Sequence, residues 1–194
     1  LNGSELWPDT VIEVAPTGAY GGDIVWEWHS WDHLVQDYDA GKDNYGTVSN
    51  EPGRININYA QNGNADWHHI NAVDYNAELD QIILSVRNLS EIWVIDHDTS
   101  TAEAAGAAGD LLYRWGNPQA YDSGDAADQQ LFVQHNAQWI EEGLPGEGNI
   151  LIFNNGQGRP GDDYSSVDEI VPPVAGDGSY TNGLPLAATW VYTN

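Results

Sequence analysis

Histidine and arginine are the residues whose types and spacing in this chain suit chemistry on an anion. The stretch Gln134 to Arg159 reads QHNAQWIEEGLPGEGNILIFNNGQGR. It opens with a histidine at an apolar strand start, turns through Gly-Leu-Pro-Gly-Glu-Gly, runs into an apolar strand from Asn149 to Phe153 and closes on an arginine. An earlier stretch, Asp66 to Arg87 (DWHHINAVDYNAELDQIILSVR), repeats the scheme: a His-Asn-Ala-type start, a turn, an apolar strand and an arginine. Two strands joined by a turn bring such ends together. His69 and His135 are therefore expected at equivalent repeat positions, and so are Arg87 and Arg159. A histidine there serves as nucleophile or acid/base, and a guanidinium gives planar, bidentate recognition of sulfate, phosphate or carboxylate. Arg114, mid-strand, reads instead as a structural ion pair.

Other chemistries fit less well. His68 and His69 are neighbours in a strand and face opposite ways, so with His135 they make a poor zinc or copper site, and no metal site is expected. Asp122-Ser-Gly-Asp125 and Asp162-Asp163 lack the spacing of a calcium hand, which leaves calcium a weak candidate at a few acidic loops and no cofactor expected. The chain has no cysteine, so a disulfide framework and a thiolate metal site are excluded. No Ser-His-Asp motif, phosphate loop or dinucleotide fingerprint is present.

Charge sharpens the meaning of the arginines. Across 194 residues there are 30 acidic side chains against 5 basic ones, a formal net charge of −25. Such a surface repels nucleic acid and anionic membranes, excludes both as partners and suits a marine or salt-adapted protein. In this setting two histidines with one or two arginines form a cationic island. No apolar run reaches membrane-spanning length and no signal peptide is visible; the start at Leu1 reads as a mature or truncated segment.

The positioning elements are strands. Short runs rich in Val, Ile, Trp and Tyr, punctuated by Gly, Pro, Asn and Asp, indicate an all-β chain. Thr10–Ala15 pairs with Ile24–Trp28, Glu91–Asp96 with Leu111–Trp115, and Val167–Val171 with Thr189–Thr193. Ahead of the last two pairs lie His69–Asp74 with Gln81–Val86, and His135–Ile140 with Asn149–Phe153. Two units of four antiparallel strands emerge, roughly 66–116 and 130–194, after half a unit at the N-terminus. Four-stranded units repeated at this interval predict a β-propeller, of which about two and a half blades are present, in a single partial domain spanning 1–194. Residues 30–65 do not fit a blade and are expected as an inserted loop, with a short helix near Trp31–Tyr38. Ala102–Gly109 reads as a low-complexity surface loop. Trp67 and Trp139, beside the histidines, belong either against an aryl ring or in blade cores.

Taken together, DIVWEWHSWDHLVQDYD, DWHHINAVDYN, QIILSVRNLSEIWVIDHDTST, LLYRWGNPQAY, QHNAQWIEEG and GNILIFNNGQGRP resemble the bacterial arylsulfotransferase family, from about residue 22 to 173. The resemblance implies a six-bladed propeller, periplasmic or extracellular. It also implies transfer of a sulfuryl group from an aryl sulfate ester to a phenol through a transient sulfohistidine. By motif it marks His69, His135 and Arg159 as catalytic, and Arg87, His68, Asn136 and Asn155 as substrate-binding. The QHNA strand is followed by a longer turn before its arginine than the family pattern has. A non-catalytic propeller that binds a ligand or protein on its face is the alternative. The sequence leaves the oligomeric state open.

Overall fold

The computed structural model describes residues 5–59 and 65–193 and is built almost wholly of strands. Residues 60–64 of the expected inserted loop lie outside the described residues. Strands β1 (Thr10–Pro16) and β2 (Gly22–His29) form an antiparallel pair, and β3 (Leu34–Val35) and β4 (Ile55–Asn56) a short parallel one. A four-stranded antiparallel meander follows: β5 (Ile70–Asn76), β6 (Gln81–Val86), β7 (Glu91–Asp96) and β8 (Tyr113–Trp115). The second meander comprises β9 (His135–Trp139), β10 (Ile150–Asn154), β11 (Ser166–Ile170) and β12 (Trp190–Thr193). The strand pairs expected from the sequence are all present, and no described sheet closes on itself.

Alternation along β6 explains how the sheets stack. Ile82, Leu84 and Val86 pack to one side with Trp93, Trp67, Trp26 and Trp28, so this core joins the first meander to β1–β2. Ile83, with Ile92, Val94 and Tyr113, faces the other side, against Ala137, Trp139, Ile150 and Ile170 of the second meander. Both faces of β6 are thus covered and its run QIILSV is buried throughout. Each fully buried aliphatic or aromatic side chain contributes roughly 1.5–3 kcal/mol. Trp67 and Trp139 are core residues, which settles their two readings in favour of packing.

Arg114, on β8, reaches across to β7. Its Nε donates to Glu91 Oε1 at 2.9 Å, its Nη2 pairs with Glu91 Oε2, and its Nη1 donates to the Arg54 carbonyl at 2.9 Å. The pair is buried, with the Tyr121 ring 4.3 Å from the guanidinium. Burial pushes the Glu91 carboxyl up, and Arg114 offsets this only in part.

Two local expectations are corrected. The helix expected near Trp31–Tyr38 is one 3-10 turn, Ser30–Asp32, followed by β3, because Leu34 and Val35 are buried by pairing with Ile55 and Asn56, across the intervening loop. The loop expected at Ala102–Gly109 contains the end of a helical turn, α1 (Thr101–Ala104), closed by a capping box in which Ser100 and Glu103 exchange hydrogen bonds. It packs on β2: Gly109 is buried and its carbonyl accepts from Trp28 Nε1 at 2.8 Å.

Candidate functional site

His68 and His69 immediately precede β5 and are not strand residues, so the alternation expected of a strand is corrected, although one is buried and the other exposed. His68 is fully buried, its ring 4.0 Å from that of Trp67 and 5.2 Å from that of Trp93. Its Nδ1 lies 3.4 Å from Asp9 Oδ2 without the alignment of a hydrogen bond, and neither ring nitrogen has a partner among the described residues. Burial holds its pKa below the ordinary histidine value, so His68 is a neutral core residue. His69 is exposed, and Asp66 Oδ2 holds its Nδ1 at 2.5 Å. Its backbone is left-handed, with φ 52°, an uncommon conformation for a residue with a side chain.

Strands β5 and β9 lie side by side and run the same way. Asn71 Nδ2 donates to the Gln134 carbonyl at 3.0 Å, and Asp74 Oδ2 accepts from the Trp139 amide at 2.9 Å. Gln134 is buried and ties β9 to the first meander through the Glu91 carbonyl at 2.6 Å. The starts of β5 and β9, and the ends of β6 and β10, therefore share one end of the stacked sheets.

Register separates the two histidines by one step. On β5, Ile70 faces Val86 and Ala72 faces Ser85, leaving Asn71 bulged. On β9, His135 faces Phe153 and Gln138 faces Leu151, with Asn136 at φ 52° taking up the extra residue. The repeated feature is thus the bulged Asn-Ala, Asn71-Ala72 and Asn136-Ala137. His135 matches Ile70, and His69 matches Gln134. The expected equivalence of the two histidines is corrected by one residue, because the bulge and not the histidine fixes the repeat. The arginines are also displaced: Arg87 directly follows Val86, where the second meander has Asn154, while Arg159 lies in the loop beyond.

Asn154 is buried and holds that loop, accepting from the Phe132 amide and donating to the Gln130 carbonyl and Asp168 Oδ2. Gly156, at φ 74°, lets the loop lie against Tyr164; a Cβ there would sit 1.8 Å from the Tyr164 carbonyl oxygen. Arg159 is thereby laid on Tyr164, with its guanidinium carbon 4.2 Å from that ring and 5.7 Å from the ring of Phe132. Its Nη1 donates to Tyr164 Oη and its Nη2 to Ser166 Oγ, both at 2.9 Å. Its Nε is buried and has no partner among the described residues, and neither has His135 Nδ1. Asn155 is half-buried, its carbonyl accepting from Ser165 Oγ, and Asn136 is exposed. Tyr164, Ser166, Phe132 and Asn71 carry no sequence signal of a site, because irregular loop geometry and inter-sheet packing bring them there.

The cations separate cleanly. Arg114 pairs with Glu91, and Arg54 with Asp110 and Glu51. Arg87, whose Nη1 donates to Asn88 Oδ1, and Arg159 make no ion pair among the described residues. His69, His135 and Arg159 lie outside the hydrophobic clusters, and no hydrogen bond joins them directly. A hollow of about 1040 Å³ lies at the other end of β5 and β9. Asp74, Glu78, Glu141, Glu142, Glu147 and Glu169 line it, a wall that repels an anionic ester. Among the described residues no three histidine or carboxylate side chains gather as metal ligands.

The arylsulfotransferase (ASST) family matches residues 2–170. The chain belongs to the arylsulfotransferase family. No individual curated protein matches it. The family match takes in both meanders through β11 and every candidate site residue from His68 to Arg159. Membership assigns aryl sulfotransfer as the general chemistry, with an aryl sulfate and a phenol as the general substrates. No helix among the described residues is long and apolar enough to cross a membrane.

Proposed function

We propose that this arylsulfotransferase-family chain moves a sulfuryl group from an aryl sulfate ester to a phenol at the shared end of β5 and β9, in a propeller whose blades are the two meanders and the β1–β2 pair, exported to the periplasm or beyond. One observation carries the reading. In a chain of net charge −25, Arg87 and Arg159 have no carboxylate partner among the described residues, while Arg54 and Arg114 do. Guanidiniums left unpaired among 30 acids are suited to an external oxyanion.

In this reading a lone pair of the His135 imidazole attacks sulfur. The N–S bond forms as the S–O bond to the aryl oxygen breaks, and that electron pair leaves with the aryl oxide. Arg159 binds the equatorial sulfuryl oxygens, where charge is held through the transfer, and Arg87 adds to the local positive field. The acceptor phenol then attacks the same sulfur and returns the electron pair to His135. His69, whose ring Asp66 orients, takes the phenolic proton. His68 contributes packing, and Asn136 and Asn155 border the ester. The competing reading, a propeller that binds an anion without turnover, draws on the lack of a direct hydrogen bond among His69, His135 and Arg159.

The test is release of 4-nitrophenol from 4-nitrophenyl sulfate, with and without phenol. It uses the longest natural reading frame holding this chain, in high salt to screen the acidic surface. Phenol-dependent release supports transfer. A folded protein that binds sulfate but releases nothing supports the binding reading instead.

A further inference from the structure

The remaining two cations meet in a second hollow, of about 380 Å³, on the segment that breaks the strand pattern. Leu34 and Ile57 line it with Trp31, Lys42, Asn44 and Arg54. Trp31 is 47% exposed, unusual for the largest apolar side chain, while Leu34 is buried. Arg54 is anchored through Nε, 3.2 Å from Asp110 Oδ2 and 3.5 Å from Glu51 Oε2, and no hydrogen bond among the described residues engages its terminal nitrogens. Lys42 makes no ion pair among the described residues, although Asp32 and Asp43 also border the hollow. Asn44 Oδ1 accepts from Gln36 Nε2, which leaves its amide hydrogens free to donate.

The backbone around the hollow is held by its own hydrogen bonds. The Gln36 side chain bonds the Asp39 carbonyl and amide, the Lys42 amide donates to the Asp39 carbonyl, and the Tyr45 amide donates to the Lys42 carbonyl. Opposite, β3 pairs with β4, and the Arg54 carbonyl is held by Arg114.

We propose that this hollow is a second binding site, for a small aromatic ring bearing a sulfonate, sulfate or carboxylate. The ring stacks on Trp31 over Leu34 and Ile57, and the oxyanion meets Lys42, Asn44 and the outer nitrogens of Arg54. Cation scarcity is the argument: both remaining positive side chains flank one aromatic-walled hollow, with donors unspent, on a surface that otherwise rejects anions. The site stands apart from His69, His135 and Arg159 and does not depend on the transfer reading.

The experiment follows the Trp31 indole N–H resonance of the whole chain during titration with 4-fluorobenzenesulfonate, with 4-fluorotoluene as the uncharged control. A saturable shift with the sulfonate alone is expected. Lys42→Gln should weaken it about tenfold, the effect of one charge-assisted hydrogen bond. Arg159→Lys should leave it unchanged. Both Trp31 and Lys42 are exposed, so Trp31→Ala folds, and it should remove the corresponding fluorine shift. No saturable shift, a shift insensitive to Lys42→Gln, or one that follows Arg159 overturns the site.

Discussion

Arg159→Lys separates charge from geometry at the proposed centre. Lysine keeps the positive charge but loses the fork that donates to Tyr164 Oη and Ser166 Oγ while lying 4.2 Å over the Tyr164 ring. A bidentate grip on a sulfuryl oxygen pair becomes a single flexible contact. Losing one charge-assisted hydrogen bond in the transition state costs about 1.5–3 kcal/mol, a fall of roughly 10- to 150-fold in kcat/KM. The stability loss is separate. Two hydrogen bonds to neutral oxygens and one half-exposed cation–π contact together contribute about 2 kcal/mol. For a chain of this size that lowers Tm by about 4–8 °C. Thermal unfolding and kcat/KM for 4-nitrophenyl sulfate, assayed well below the transition, read the two effects independently. A folded Arg159→Lys variant with kcat/KM within about twofold of wild type would refute the bidentate role.

Further outcomes follow from the same contacts. Arg114→Met strands the buried Glu91 carboxylate and should cost about 3–5 kcal/mol, measured by denaturant unfolding; Arg114→Met with Glu91→Leu should recover much of it. Gly156→Ala drives a methyl group into the Tyr164 carbonyl from a left-handed backbone and should cost roughly 2 kcal/mol or more, while loosening Arg159 and raising KM. Burial depresses the pKa of His68 in the fold, so below its unfolded value near 6.5 the unfolded chain binds the extra proton. Stability should therefore fall as pH drops below about 6.5, and His68→Leu should flatten the slope of unfolding free energy on the acid side of that value.

The sheets were legible because their signal is local. Aromatic residues at every second position in IVWEW and TWVYT mark strands, and Gly-Leu-Pro-Gly-Glu-Gly marks a turn, without reference to distant chain. The opposition of His68 and His69 does not come from the strand alternation that the sequence suggests: both precede β5, and His69 has a left-handed backbone. What escaped depends on contacts remote in sequence. The bulges at Asn71 and Asn136 shift the repeat by one residue, and only pairing with β6 and β10 reveals which residue is extra. Residues 34–35 read as helix because their strand partner is β4, across a loop. Scarcity singles out Arg159 in the sequence, but nothing there points to its partners Tyr164 and Ser166, because Gly156 and Asn154 shape the loop that brings them together. The ion pair expected of Arg114 from the abundance of carboxylates is present, and the structure adds its reason, a mid-strand cation facing Glu91 on the neighbouring strand.

The most direct test of the central claim is to expose the chain to 4-nitrophenyl sulfate without an acceptor, quench under alkaline conditions and map the sulfuryl group by peptide mass spectrometry. The account predicts one SO3 on the peptide that carries His135, discharged by added phenol and absent from His135→Ala. Phenol-dependent turnover that persists in folded His135→Ala, or an SO3 group found only on another residue, would contradict it.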